Sequence, residues 1–192
     1  MAVLAAGQSR RFGPEDKLTS NFRGRRLGEL ACQTLAELDV AHRWVISARA
    51  DHPCAQSWQA DGFALAVNAQ AAAGMGTSVA LAASLALAAQ VDGLLIALAD
   101  MPLVPADHYQ ALIARAAAAG PAAIVASAAN GVRSPPAAFG RDHLVVLATL
   151  TGETGARTLL QQAEPVACAP ELLIDIDDPA ALAQAAKAPF QP

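Results

Sequence analysis

At 192 residues the chain has the length of one ordinary globular domain, and its 54% apolar content supplies a full core. Aromatic residues are only 4% and the formal charge is −4, which excludes a base-stacking nucleic-acid platform and any global pull towards DNA or an anionic membrane, so an anion site has to be local. Cys32, Cys54 and Cys168 stand far apart with no C-x-x-C, which gives no metal-finger signal and suits inert thiols in a reducing compartment.

The first apolar stretch is short and its basic residues follow it, the reverse of a secretory signal. "MAVLA" (1–5) predicts a strand and "GELACQTLAEL" (28–38) a helix. "RWVISA" (43–48) and "FALAVN" (63–68) predict two more strands, and "TSVALAASLALAAQ" (77–90) a helix. The apolar region 79–99 is interrupted by Gln90 and Asp92-Gly93, so a helix followed by the buried strand "GLLIALAD" (93–100) accounts for it better than a membrane span. "PADHYQALIARAAAAG" (105–120) reads as a helix with Pro105 near its first turn and Gly120 at its end. "AAIVAS" (122–127) predicts a strand. The Gly- and Pro-rich stretch "AANGVRSPPAAFGRD" (128–142) is expected to be a loop over the mouth of a site. A helix near 156–163, a short strand "ELLIDI" (171–176) and a last helix at 179–188 follow, and the closing "PFQP" is expected to fray.

Strand–helix alternation with continuously apolar strands predicts an α/β fold, three-layer α/β/α around a mostly parallel, doubly wound sheet. Such sheets bind ligands at the carboxyl ends of their strands. No linker or repeat divides the chain, so residues 1–192 read as one domain, cytoplasmic by expectation.

The chemistry gathers behind the first strand. Gly7, Ser9, Arg10, Arg11, Gly13 and Lys17 combine glycines that let backbone approach a ligand with two well-placed cations, Arg11 a planar fork and Lys17 a point charge. That is the equipment of a polyphosphate cradle; a solvated basic connection is the plainer alternative. It is not a Walker loop, because Pro14 follows Gly13, and G-x-G-x-x-G is absent. In "LADMPL", Asp100 directly follows a buried strand, with Pro102 and Pro105 stiffening what comes next. Its carboxylate is either a turn or helix-cap group or a ligand for a hard divalent cation carrying phosphate oxygens. His42, His52, His108 and His143 have no paired spacing and read as ordinary surface or half-buried residues. Ser9 has no visible His/Asp partner, which argues against a nucleophilic serine.

The pattern L-A-A-G-x-S-x-R-x-G…K-L over residues 4–18 resembles the signature of the molybdenum cofactor nucleotidyltransferases, which attach a nucleoside monophosphate to molybdopterin. "GMGTSVA" (74–80), "ADMP" (99–102), "RSPPAAF" (133–139), "TGETGARTLL" (151–160) and "DIDDPAAL" (175–182) resemble further motifs of that family in the right order. The resemblance implies a Rossmann-like nucleotidyltransferase fold and a Mg²⁺-dependent transfer that releases pyrophosphate. It implies nucleotide contacts from Leu4, Ala5, Ala6, Gly7, Ser9, Arg11, Lys17, Gly74, Gly76, Ser78 and Asp100, with Arg11, Lys17 and Asp100 catalytic. Arg133, Pro135, Phe139, Gly155, Arg157, Asp175 and Asp177 would face the pterin, and Asp100 with Asp177 would hold the metal. Plainer readings remain: Gly74 and Gly76 as the start of a helix, Arg133 and Arg157 as surface residues, Asp175 and Asp177 as caps of the last helix.

The guanylyl-transferring branch usually carries L-A-G-G where this chain has Ala5-Ala6-Gly7, and tends to asparagines where it has Asp175 and Asp177. Both features resemble the cytidylyl-transferring branch, and the Ala6 methyl would narrow the space beside the base. The expectation is CMP transfer from CTP to molybdopterin. GMP transfer from GTP, transfer to another phosphorylated small molecule, or a carrier that hands the cofactor to a recipient molybdoenzyme are the alternatives. "RRLGEL" (25–30) lacks the family's usual proline, and Glu153 stands where aspartate is usual.

Overall fold

The computed structural model describes residues 1–7, 12, 16–152 and 155–187. In chain order it shows β1 (Ala2–Ala5), a hairpin of β2 (Asn21–Phe22) and β3 (Arg25–Arg26), α1 (Leu27–Ala36), β4 (Trp44–Ser47), α2 (Ala55–Ala60) and β5 (Ala64–Val67). Next come α3 (Met75–Ala88), β6 (Gly93–Leu98), α4 (Ala106–Ala119), β7 (Ile124–Ala129) and β8 (Val132–Gly140). The last elements are α5 (Leu144–Leu147), α6 (Gly155–Gln161), β9 (Glu164–Ala167) and α7 (Pro179–Lys187). Seven strands form one sheet in the order β5-β4-β1-β6-β8-β7-β9, with flanking helices. All neighbours are parallel except β8, which is antiparallel to both β6 and β7.

β1 lies mid-sheet and every residue of it is buried, the reason its sequence is continuously apolar rather than alternating. α3 buries Val79, Ala82, Ala83 and Ala86, one helical stripe. Its small residues let the helix sit close against β1, β4 and β6. A second apolar cluster lies apart from the main core. It joins Phe22, Leu27, Leu103, Ile176 and Ala185, with Phe12, Leu30, Leu172, Ile174 and Leu182 packed on it. This cluster ties the hairpin, the segment after β6 and the carboxyl-terminal segment together. Arg23 reinforces it by donating to the carbonyls of Ala185 (3.0 Å) and Ala186 (3.3 Å) at the end of α7.

Two expectations are overturned. Residues 128–142 are not a loop but the β7–β8 hairpin. Asn130 (φ 51°) and Gly131 (φ 79°) make its two-residue turn, in which both central positions need positive φ. Pro135 and Pro136 are tolerated mid-sheet because neither ladder asks them for an N–H: pairing with β6 ends at Ile96–Ala137, and pairing with β7 shifts register between Ala126 and Ser127. Ser127 Oγ donates to the Pro136 carbonyl at 2.8 Å, and His108 Nε2 lies 2.8 Å from the same hydroxyl. His108 is therefore a buried residue of this packing.

Residues 171–176 are not a strand either. Pro170–Leu172 is a 3₁₀ turn, and the edge strand is β9. The alternation of Leu172, Ile174 and Ile176 serves the second apolar cluster instead of a ladder. Among the described residues no helix is long and apolar enough to cross a membrane.

Candidate active site

The site is built where β1, β6 and the carboxyl-terminal segment meet. After β1 the chain returns as a single 3₁₀ turn, Lys17–Thr19, capped by Asp16, whose Oδ1 accepts the Leu18 N–H at 3.0 Å. Lys17 is only 6% exposed. Its Nζ lies 2.6 Å from Asp100 Oδ2, 2.8 Å from Asp177 Oδ1 and 3.8 Å from Asp175 Oδ1. Asp100 is placed by β6, which is locked to β1 through the Ala99 N–H to Leu4 carbonyl bond (3.0 Å). Asp175 and Asp177 are placed by Ile176, whose N–H donates to the Asp100 carbonyl at 3.0 Å and whose side chain is fully buried.

Among the described residues one ammonium faces three carboxylates, which gives that group an excess of negative charge. Burial pulls the Lys17 ammonium down, but Asp100, Asp177 and Asp175 outweigh it and hold the group above its ordinary value. Burial, then the negative charge of Asp100, pushes the Asp175 carboxyl up to about 7. One oxygen from each aspartate lies within 4.8 Å of the others, and the buried Asp100 Oδ1 has no hydrogen-bond partner among the described residues. Hard oxygen donors, excess negative charge and an orphaned buried carboxylate oxygen suit a divalent cation such as Mg²⁺ or Mn²⁺.

A second wall comes from the start of α3. Gly74 takes φ 113°, a backbone closed to other residues. The Gly76 N–H donates to the Gly152 carbonyl at 2.8 Å, and a Cβ on Gly76 would lie 2.6 Å from that oxygen, so only glycine lets the 151–152 segment approach. Asn68, just past β5 and buried, donates to Thr77 Oγ1 and Ser78 Oγ at 2.9 Å each. Its own Oδ1 accepts the Gln70 N–H at 2.9 Å. Gly76 and Ser78 thus spend their polar groups inside the protein, fixing the wall.

The model of the MobA-like NTP transferase domain matches residues 1–166. The chain belongs to that family. Purine catabolism protein PucB of Bacillus subtilis (strain 168) is 32% identical over 169 residues, which cover 84% of this chain and 80% of PucB. The structure of Rv0371c from Mycobacterium tuberculosis H37Rv superposes with a TM-score of 0.76 at 20% identity, covering 97% of this chain and 96% of that one. The same protein in complex with manganese gives 0.70. Molybdopterin-guanine dinucleotide biosynthesis protein A from Archaeoglobus fulgidus gives 0.63 at 17% identity, covering 97% and 96%. These structural likenesses establish a Rossmann-like nucleotidyltransferase fold, and the family makes the chain a nucleotidyltransferase.

In this MobA-like chain the expected site residues are distributed unevenly. Lys17, Asp100, Asp175 and Asp177 converge. Leu4, Ala5 and Ala6 are buried at the carboxyl end of β1, and Gly7 beyond them is exposed, with no described residue within 4 Å of where its side chain would stand. Ser9, Arg11 and the closing "PFQP" lie outside the described residues. Arg133 is exposed just past the β7–β8 turn and donates to the Ala163 carbonyl at 2.7 Å, with Pro135 half-buried behind it. Gly155 opens α6 and Arg157 is exposed on it. Phe139 does not belong to the site: it is buried opposite Leu94, at the amino end of β6, because β8 runs antiparallel and carries it to the far edge. There it lines a cavity of about 630 Å³ with Met1, Val40 and Ile113, away from the carboxylates. Asn68, which braces the start of α3, and His52, buried and 2.9 Å from Asp16, carry no signal in the sequence that links them to this region.

The carboxylate cluster makes stability depend on pH. Asp175 ionises near its ordinary 3.8 when unfolded but near 7 when folded, so the folded state holds the extra proton between those values. Its contribution therefore falls as pH rises from about 4 to about 7 and is flat above. Melting curves of Asp175→Asn and the native chain across that window should diverge in favour of the variant; a difference constant with pH would contradict the assignment.

Proposed function

We propose that this chain transfers CMP from CTP to molybdopterin, giving the cytosine dinucleotide cofactor and pyrophosphate in the cytoplasm. The observation that carries the reading is Lys17 buried against Asp100, Asp175 and Asp177 at the carboxyl edge of a MobA-like sheet. Residues 167–187 lie beyond the family match but bring two of those carboxylates, so we read 1–192 as one working domain.

An acceptor phosphate oxygen would attack the α-phosphorus of CTP, and the bond to the β-phosphate would break in line. Lys17 would hold the β- and γ-phosphates with Arg11 and meet the charge growing on the pyrophosphate. Backbone at Leu4, Ala5, Ala6 and Gly7, with Ser9, would face the nucleotide, and the Gly74–Ser78 wall would limit where base and ribose lie. Arg133, Pro135, Gly155 and Arg157 would approach the pterin. Asp100 and Asp177 would hold Mg²⁺, which supplies charge neutralisation at the transferred phosphate. Ala6 and the Asp175–Asp177 pair support cytosine over guanine.

The test is a competition assay with CTP, GTP, molybdopterin and Mg²⁺, read by product mass. The expected product is the cytosine dinucleotide. A predominant guanine product overturns the base choice, and no pyrophosphate with either nucleotide overturns the transfer itself.

A further inference from the structure

Lys17 sits on one 3₁₀ turn, too short to hold itself, so its placement depends on what grips the turn. Asp16 grips it from three atoms. Its Oδ1 accepts the Leu18 N–H, its carbonyl accepts the Thr19 N–H (2.9 Å) and hydroxyl (2.7 Å), and its Oδ2 lies 2.9 Å from His52 Nε2. His52 Nδ1 accepts the Cys54 N–H at 3.1 Å, so in the neutral ring the proton sits on Nε2 and points at Asp16. The ring is 5% exposed and stacked on Trp58 at 4.6 Å. Trp58 is fully buried and donates Nε1–H to the Gly28 carbonyl at 2.7 Å. The Lys17 turn is thereby anchored to the β4–α2 connection, which contains none of the family-like motifs.

Resting on the transferase reading above, we propose that the Asp16–His52 pair is a positioning device for Lys17. It sets the base from which the ammonium meets the leaving pyrophosphate. Neither residue touches the reacting atoms. A displacement of about 1 Å at such a group can cost on the order of a hundredfold in rate, which makes an anchor outside the site worth building.

The variants follow from donor and acceptor chemistry. His52→Ala removes the donor to Asp16. His52→Gln restores an N–H near the Nε2 position. Asp16→Asn is isosteric but turns an amide N–H either towards the His52 donor or towards the Leu18 N–H, so one bond is lost.

Two measurements are made on folded protein, checked by circular dichroism. First, acylation of Lys17 by an activated ester, read by mass spectrometry, should run about fivefold faster or more in His52→Ala and Asp16→Asn, and near the native rate in His52→Gln. Equal labelling in all four proteins overturns the proposal, as does His52→Gln labelling like His52→Ala. Second, kcat for pyrophosphate release from CTP in the presence of molybdopterin and Mg²⁺ should fall about tenfold in His52→Ala and Asp16→Asn while KM for CTP moves less than about threefold, with His52→Gln restoring most of it. A raised KM with intact kcat overturns the proposal. If His52→Ala does not fold, Asp16→Asn against His52→Gln decides. If the native chain releases no pyrophosphate from CTP with molybdopterin and Mg²⁺, the transferase reading fails, while the labelling still decides whether Lys17 is held by this pair.

Discussion

Replacing Lys17 with alanine is expected to lower the rate of pyrophosphate release roughly a hundredfold or more, the loss of about 3 kcal/mol of transition-state stabilisation that one such electrostatic group supplies. The site geometry makes the effect specific. Lys17 is 6% exposed and its Nζ lies within 3 Å of two carboxylates, so water does not replace the charge it supplies there. The same substitution removes the Lys17 counter-charge that faces Asp100, Asp175 and Asp177. Removing one partner of a buried pair typically costs about 3–5 kcal/mol, but Asp175 and Asp177 are 46% and 44% exposed, so screening by water reduces the loss here. Folding and chemistry are separated by measuring turnover well below the melting transition, and Mg²⁺ should raise the variant's melting temperature more than the native chain's. Native turnover in Lys17→Ala would remove the residue from the mechanism.

The halves of this cluster differ in how visible they are in the sequence. Lys17 and Asp100 each follow an apolar run that can hardly be anything but a central strand, and polar groups past such strands share one edge of a parallel sheet. Asp175 and Asp177 carry no such signal. Their neighbours Leu172, Ile174 and Ile176 mimic a strand, and only the Ile176 N–H to Asp100 bond reveals that the segment is a strap across the site. The β7–β8 hairpin was masked by its two prolines, although Asn130-Gly131 is the strongest local hairpin signal in the chain. The sequence pattern cannot show that a register shift between Ala126 and Ser127 frees those prolines from the ladder. A loop over 128–142 would let Phe139 face the site, whereas the antiparallel strand β8 carries it to the opposite edge of the sheet. His52 was invisible for another reason: its partner Asp16 lies 36 residues away, and no periodicity links them.

Trp58→Ala should be the most damaging single change to stability, costing about 3–5 kcal/mol, as large-to-small changes of buried aromatics do. Trp58 is fully buried, and its loss leaves a cavity under His52 and removes the Nε1–H bond to the Gly28 carbonyl, which keeps its intrahelical partner in α1. For a chain of this size each kcal/mol lowers the melting temperature by about 2–4 °C, so a fall of roughly 10 °C is expected in a calorimetric scan. Trp58→Phe separates the two contributions, keeping a ring against His52 while removing the N–H, and should cost about 1 kcal/mol for the lost hydrogen bond, beyond the smaller ring's lost packing. The double variant Trp58→Ala/His52→Ala then measures their coupling. Residues in contact share part of what each single change removes, so the double loss should fall short of the sum. Strict additivity would mean that Trp58 supports only the local core and that the grip on Lys17 begins at His52.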